Sequence, residues 1–265
     1  AVTQHGDTAL VLAARNGHMS CVQLLVANSS TDANIVNTNG ETALMEAARK
    51  RHRNCVRCLI SLPTIDAHAS DKRGRTALMW AAKNGLDCCI ERILAVPGVD
   101  VNKPNNHGAT ALNLAAQQGN NNCVRRLLAV SDVHVNTCTK HGGNALMWAC
   151  ANRHEDCVET LLAAPTIDVN AHGNCGRTAL TIAADNGYKR ALGLLLATPG
   201  IDVNVCTRTG CSALTLAARH GHTTCVEMIL SAPGADVNCD NALIEATRWN
   251  QYACVRLLLA APDID

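Results

Sequence analysis

The chain of 265 residues contains no phenylalanine, three tryptophans and two tyrosines. A core built on aromatic rings is therefore excluded. The interior has to be filled by Ala, Leu, Val, Ile and Cys, which suits thin, closely spaced layers rather than a bulky globule. Charge is also scarce. Asp, Glu, Lys and Arg make up 17% of the residues, where ordinary domains carry about a quarter. With 48% hydrophobic residues and a net charge of +1, the composition excludes a disordered chain and a wholly basic nucleic-acid binder. No apolar run approaches the ~18 residues of a membrane span. No secretory leader opens the chain and it does not begin with Met, which points to an excised or processed segment. Cysteine, by contrast, is abundant at 15. Disulfides, metal ligation and plain packing are three readings of that number, and the spacing has to decide among them.

The spacing is periodic. Thr-Ala-Leu or a close variant starts at Thr8, Thr42, Thr76, Thr110, Asn144, Thr178, Ser212 and Asn241. Six consecutive steps are 34 residues and the last is 29. The first column holds only Thr, Ser and Asn, whose side-chain oxygens cap helix N-termini. An Ala-rich run comes next, as in Ala9 to Ala14, and stops at a column holding Gly17, Gly85, Gly119, Gly187 and Gly221. Glycine takes the left-handed conformation that ends helices. Arg51, Arg153 and Asn250 share that column, and the two arginines are expected to carry strain or to end the helix differently. A second helix then shows one apolar stripe, as in Cys21, Val22, Leu25 and Val26. It ends near a proline (Pro63, Pro97, Pro165, Pro199, Pro233 or Pro262), and Asp-Val-Asn or a relative comes next. Helix pairs this short must bury their apolar faces on copies of themselves, which predicts a solenoid.

This order of residues resembles the ankyrin repeat. The stretch Gly74-Arg75-Thr76-Ala77-Leu78-Met79-Trp80-Ala81-Ala82-Lys83-Asn84-Gly85 matches the family pattern, as do Cys89-Ile90, Ile93-Leu94 and Asp100-Val101-Asn102. The resemblance covers residues 1–265 in eight copies. It implies an all-α ankyrin-repeat solenoid of helix-turn-helix units with projecting β-hairpin loops, forming a single domain. It also implies a non-catalytic protein–protein interaction scaffold that uses the fingers and inner helices. Two departures are systematic: Ala stands where the family has Pro after the capping Thr, and the family's His two residues further on is absent. The last unit has a short finger and keeps its apolar pattern. From this, either the native protein continues past Asp265 or this end packs on something, with Trp249 and Tyr252 covering it.

Seven cysteines share one column: Cys21, Cys55, Cys89, Cys123, Cys157, Cys225 and Cys254. Stacked units lie roughly 10 Å apart, too far for disulfides, so the column reads as small buried residues in a reducing, cytoplasmic setting. Cys138, His141, His172, Cys175, Cys206 and Cys211 fall on consecutive fingers; variable surface and metal ligation both fit them. His18, His52, His154 and His222 share a column and read as structural. The recurring Asp32, Asp66, Asp100, Asp168, Asp202 and Asp236 are placed to bond turn amides. No triad spacing and no Gly-rich phosphate loop appears, so no enzyme and no cofactor are expected.

Charge is distributed unevenly. The fingers carry Lys72, Arg73, Arg75, Lys103, Lys140, Arg177 and Arg208 against Asp7, Glu41, Asp71 and Asp240. Acidic residues gather instead on second helices, at Asp87, Glu91, Glu155, Asp156, Glu159 and Glu227. Trp80 and Trp148 share a column with Glu46 and Glu245, which suggests partial exposure. These residues define the expected partner surface, a concave face across repeats 2–6: Lys72, Arg73, Arg75, Trp80, Lys83, His107, Lys140, His141, Trp148, Arg177 and Arg208. The expected partner is a protein or acidic peptide, and a nucleic acid or anionic small ligand on the same basic stripe is the alternative. The chain is expected to be a monomer or part of a larger multidomain protein.

Overall fold

The structure is a computed structural model, and residues 2–238 and 241–261 are described. Asp240 and Pro262 lie outside the described residues. The chain divides into two compact units, 1–137 and 138–265. In the first unit the first-helix row is α1 (Ala9–Asn16), α3 (Ala43–Arg49), α5 (Ala77–Lys83) and α7 (Ala111–Gln117). Its second-helix row is α2 (Met19–Ala27), α4 (Arg53–Ile60), α6 (Asp87–Leu94) and α8 (Asn121–Leu128). The second unit repeats the plan. Its first helices are α9 (Ala145–Ala151), α11 (Ala179–Asp185), α13 (Ala213–Arg219) and α15 (Ala242–Arg248). Its second helices are α10 (Glu155–Leu162), α12 (Lys189–Leu196), α14 (Thr223–Leu230) and α16 (Tyr252–Leu259). Within each unit every first helix packs on its own second helix and on the next first helix, and second helices pack in sequence. The core is layered Ala and Leu, such as Leu44, Ala47 and Ala48 beside Leu78, Ala81 and Ala82.

The cap column behaves as its residue types dictate. Each of Thr8, Thr42, Thr76, Thr110, Asn144, Thr178 and Ser212 accepts a hydrogen bond from the backbone N–H three residues on, worth about 1 kcal/mol each. Asn241, after the shortened finger, makes no such bond. The fingers are tight turns rather than strands. The third repeat's finger closes with Asp71 N–H to Arg75 O at 3.0 Å, and the Ser70–Thr76 bridge is the one isolated bridge among the described residues. Two-residue arms are too short for a ladder. Neighbouring fingers are joined instead by single backbone bonds, Lys72 N–H to Asn39 O at 2.9 Å and Arg208 N–H to Cys175 O at 3.0 Å.

The Asp column bonds its turn as expected: Asp66 Oδ1 accepts from His68 N–H at 2.8 Å and Asp100 Oδ1 from Asn102 N–H at 2.8 Å. The Asn two residues later has a role that its column does not announce. Asn34 donates Nδ2–H to Thr64 O at 2.8 Å and accepts from Asp66 N–H at 2.8 Å. Asn102, Asn170 and Asn204 repeat this pair of bonds on the following repeat. One side-chain amide thus replaces a backbone peptide and pins one repeat to the next.

The glycine column has a second reason besides its positive φ. A Cβ on Gly17 (φ +72°) would stand 2.5 Å from the His52 ring, whose Nε2 bonds Arg15 O at 3.0 Å. His222 reaches Asp185 O across Gly187 in the same way. Arg51 (φ 64°) and Arg153 (φ 60°) keep the left-handed backbone, so the strain expected of them is present. The next repeat then supplies Leu86 or Tyr188 in place of the polar ring. At the Arg51 junction, Asn84 Nδ2 takes over the carbonyl bonding, reaching Ala48 O and Arg49 O at 3.1 and 2.9 Å. At the other, the Arg153 guanidinium stacks on Tyr188 at 4.8 Å.

Six members of the cysteine column are buried; Cys21 is exposed, because α2 is the first helix of its row among the described residues. Burial pushes the Cys89 thiol up to about 12 and Cys157 up to about 11. None of the fourteen described cysteines forms a disulfide. At the last helix pair, Ile244, Trp249, Tyr252 and Leu259 are exposed, so the two aromatics do not bury themselves over the end.

Alkylation of the native protein should rapidly label the exposed Cys21, Cys88, Cys138, Cys175 and Cys206, with Cys55, Cys89, Cys123, Cys157, Cys225 and Cys254 reacting only on unfolding, as peptide mass mapping would read. Arg51→Gly should raise stability in urea denaturation by roughly 0.5–1 kcal/mol. Arg153→Gly should gain less, since it also loses a ring contact worth about 0.5–1 kcal/mol.

Candidate functional site

The residues expected to face a partner all lie on fingers or on the adjoining first helices. In the first unit, Lys72 and Arg73 stand exposed at the third finger and form no ion pair among the described residues. His107 is exposed on the next finger, where its N–H bonds Asn105 Oδ1 at 2.8 Å. Arg75 is engaged internally: it bridges Asp71 at 2.7 Å and lies 4.3 Å from the centre of the Trp80 ring. Lys83 approaches the same ring at 5.7 Å. Between these cations Trp80 is only 8% exposed. The partial exposure expected of its column is therefore absent at Trp80, and Arg75→Glu would disturb packing as well as surface charge.

The two glutamates of that column are also buried, which corrects the inference drawn from them. Glu46 has no exposure and Glu245 little, because arginines neutralise both. Arg49 binds Glu46 at 2.6 Å and Arg15 reaches its other oxygen at 3.1 Å. Arg219 binds Glu245 at 2.9 Å, and Arg248 pairs with it too. In the first unit this becomes a buried network. Arg15 grips both oxygens of Asp7 at 2.7 and 2.6 Å, and Asn37 Nδ2 bridges Asp7 and Glu41 at 3.1 and 3.2 Å. The hydrogen bonds from Arg15 outweigh burial and hold Asp7 below the ordinary carboxylate range. Burial alone would raise Glu41, but the hydrogen bond it accepts from Asn37 and the charge of Arg49 prevail, and it too lies low.

In the second unit, Lys140 and His141 are exposed on the fifth finger and Arg208 on the seventh. Arg177 pairs with Asp185 on α11, which also receives His220 Nε2 at 3.1 Å. Trp148 on α9 is half-buried, and its Nε1–H bonds Gly143 O at 3.1 Å. Beside it lies a cavity of about 230 Å³ whose lining includes Gly143, Met147, Trp148, Ala151, Gly173, Arg177 and Ile182. A second, more polar hollow of about 460 Å³ adjoins it, lined by Arg177, Asp185, Thr207, Arg208, Arg219 and His220. Both are formed by fingers above and first helices below.

The basic character of this surface is thinner than the sequence count implies. Asp7, Glu41, Glu46, Asp71, Asp185 and Glu245 already neutralise the nearby arginines. Of the residues expected at the partner surface, Lys72, Arg73, Lys83, Lys140 and Arg208 keep no ion pair among the described residues. Nor is the second-helix row uniformly acidic: α4 carries Arg53 and Arg57, and α8 carries Arg125 and Arg126. The finger cysteines and histidines do not converge; among the described residues no group of three or more His, Cys, Asp or Glu is placed to hold a metal. Cys211 is buried with Sγ 3.4 Å from Arg219 Nη2. No helix of the described residues is long and apolar enough to cross a membrane.

Stacked short helix pairs, capped by Thr and joined by turn-like fingers, define a repeat protein of the helical solenoid class. A sequence model of the family described as "Ankyrin repeats (3 copies)" matches residues 1–71, 60–137, 78–173, 118–207 and 180–265, and the chain belongs to the ankyrin repeat family. It is similar in structure to the ankyrin repeat domain of Bcl-3, described as a unique member of the IkappaB protein family. That match has a TM-score of 0.72 and 25% identity, over 85% of this chain and 99% of that one. No curated protein matches it in sequence. Ankyrin repeats generally mediate protein–protein interactions. Because 550 solved chains match, the fold alone selects no partner, and the surface has to.

The buried network yields a pH dependence. Asp7 and Glu41 have folded pKa values below their unfolded ones, near ~3.9 and ~4.3. Their contribution is complete above about pH 5 and is lost as pH falls through the depressed folded values. Urea midpoints should therefore drop between ~pH 5 and ~pH 2, and Asp7→Asn should flatten that slope while lowering stability at pH 7. An unchanged slope in the variant would remove Asp7 from the network.

Proposed function

We propose that the chain is a non-catalytic recognition module that binds an acidic segment of a partner protein on its finger and first-helix surface. Residues 1–265 form one ankyrin-repeat domain in this proposal, acting as a monomer in a reducing, cytoplasmic compartment; the free, mostly buried cysteines support that setting. The observation that carries the proposal is the selective neutralisation of charge. Arginines next to the helices are matched to buried carboxylates, whereas the cations further out, Lys72 and Arg73 in the first unit and Lys140 and Arg208 in the second, have no acid. Unmatched surface charge of one sign steers an oppositely charged partner. Lys83, with Trp80 below it, and His107 and His141 on the fingers complete the proposed surface.

The test is titration of a fluorescent Glu-rich peptide and of a generic RNA across a salt series. The Lys72→Glu/Arg73→Glu and Lys140→Glu/Arg208→Glu pairs should each weaken peptide binding about tenfold while leaving the circular dichroism of the fold unchanged. RNA binding with a steep salt slope and no peptide binding would overturn the proposal in favour of a nucleic-acid binder.

A further inference from the structure

Two repeats carry the same first-helix sequence, Ala-Leu-Met-Trp-Ala, at 77–81 and 145–149, yet their indoles meet opposite surroundings. The difference arises at two flanking positions, five residues before the tryptophan and three after it. Around Trp80 these are Arg75 and Lys83, whose cationic ends cover the ring at 4.3 and 5.7 Å. Around Trp148 they are Gly143 and Ala151. With nothing to cover it, the Trp148 ring becomes one wall of the 230 Å³ cavity.

That cavity is held open by its own backbone. The Trp148 indole is fixed by its bond to Gly143 O, and a Cβ on Gly143 would stand 2.9 Å from Nε1. A Cβ on Gly173, on the next finger, would lie 2.5 Å from Gly142 O. Met147, Ala151 and Ile182 add apolar wall, and on the sixth finger Asn174 and Arg177, the latter paired with Asp185, supply the polar part of the lining. Around the rim stand exposed His141 and Cys175, and the fingers on either side carry the unpaired cations Lys140 and Arg208.

We propose that this cavity is an anchor slot for one aromatic side chain, of the Phe or Tyr kind, borne by an acidic segment of the partner. The inference rests on the acidic-partner function and narrows it to one position. Size supports the choice, since an apolar cavity of about 150 Å³ accommodates benzene. So does chemistry: an indole in the wall offers the offset or edge contact that aromatic pairs favour. The charge of Lys140 and Arg208 sets the sign of the residues flanking the ring on the partner. Trp80 is the internal comparison, an indole in the same register that is already covered.

The experiment uses the full chain and four ten-residue peptides: Glu-rich with a central Phe, the same with Ala for Phe, and the two Lys-rich counterparts. Binding is read from the indole N–H resonance of Trp148, assigned by loss of the signal in Trp148→Phe, with the Trp80 resonance as a control for folding. The Glu-rich Phe peptide should shift Trp148 and not Trp80, and should bind about tenfold or more tightly than its Ala counterpart. Ala151→Gln should abolish that difference. Gln117 occupies the same position in the fourth repeat, so the substitution is one the fold already accommodates. Equal binding of the Phe and Ala peptides would overturn the slot and leave the acidic-partner proposal standing. Equal binding of Glu-rich and Lys-rich Phe peptides would overturn the acidic proposal and leave the slot. A Trp148 signal unmoved by every peptide would overturn the slot outright.

Discussion

A seven-residue helix in water does not hold itself together, because nucleation consumes most of what its few hydrogen bonds return. All eight first helices of this chain have seven or eight residues, so each depends on its neighbours. The dependence is satisfied twice. Ala and Leu layers bring the helices close, and at four junctions an asparagine two residues after the turn Asp (Asn34, Asn102, Asn170 and Asn204) ties successive turns with a donor and an acceptor at once. The apolar contact supplies most of the stability and is indifferent to register. The amide pair is directional, so it fixes how far one repeat slides along the next.

Features set by a repeated position are legible in the sequence, since a column sampled eight times averages out local accidents. The Thr, Ser and Asn caps, the left-handed residue after the first helix, and the Asp that closes the turn are predicted from such columns, and the structure places them accordingly except at Asn241, which makes no cap bond. The cysteine column is legible except at Cys21, which is exposed because its burial depends on a second helix packed on the N-terminal side of α2. Columns of mixed occupancy mislead. Glu46 and Glu245 beside Trp80 and Trp148 suggest exposure, because a charge in a column reads as solvent contact. Their arginines come from neighbouring turns, at offsets that a single column does not display.

The same blindness affects the candidate surface. Counting cations along the fingers overstates it, because Arg75 and Arg177 spend their charge on Asp71 and Asp185. The two tryptophans look equivalent for a related reason. Their accessibility is decided by a finger residue five positions before the ring and a helix-end residue three after it, neither of which the tryptophan column itself displays. The fold is thus written in columns, whereas the site is written in combinations between them.

The junctions between repeats come in two kinds: a glycine facing a hydrogen-bonding ring or amide from the next repeat, and a left-handed arginine facing Leu86 or Tyr188. The repeats are therefore not interchangeable bricks. Joining the first repeat directly to the third would set Gly17 against Leu86 and exchange the His52 imidazole on the Arg15 carbonyl for the Asn84 amide. Recombination within this array is compatible with the fold where the junction types match, so the order of repeats is itself inherited information, independent of whatever the surface recognises.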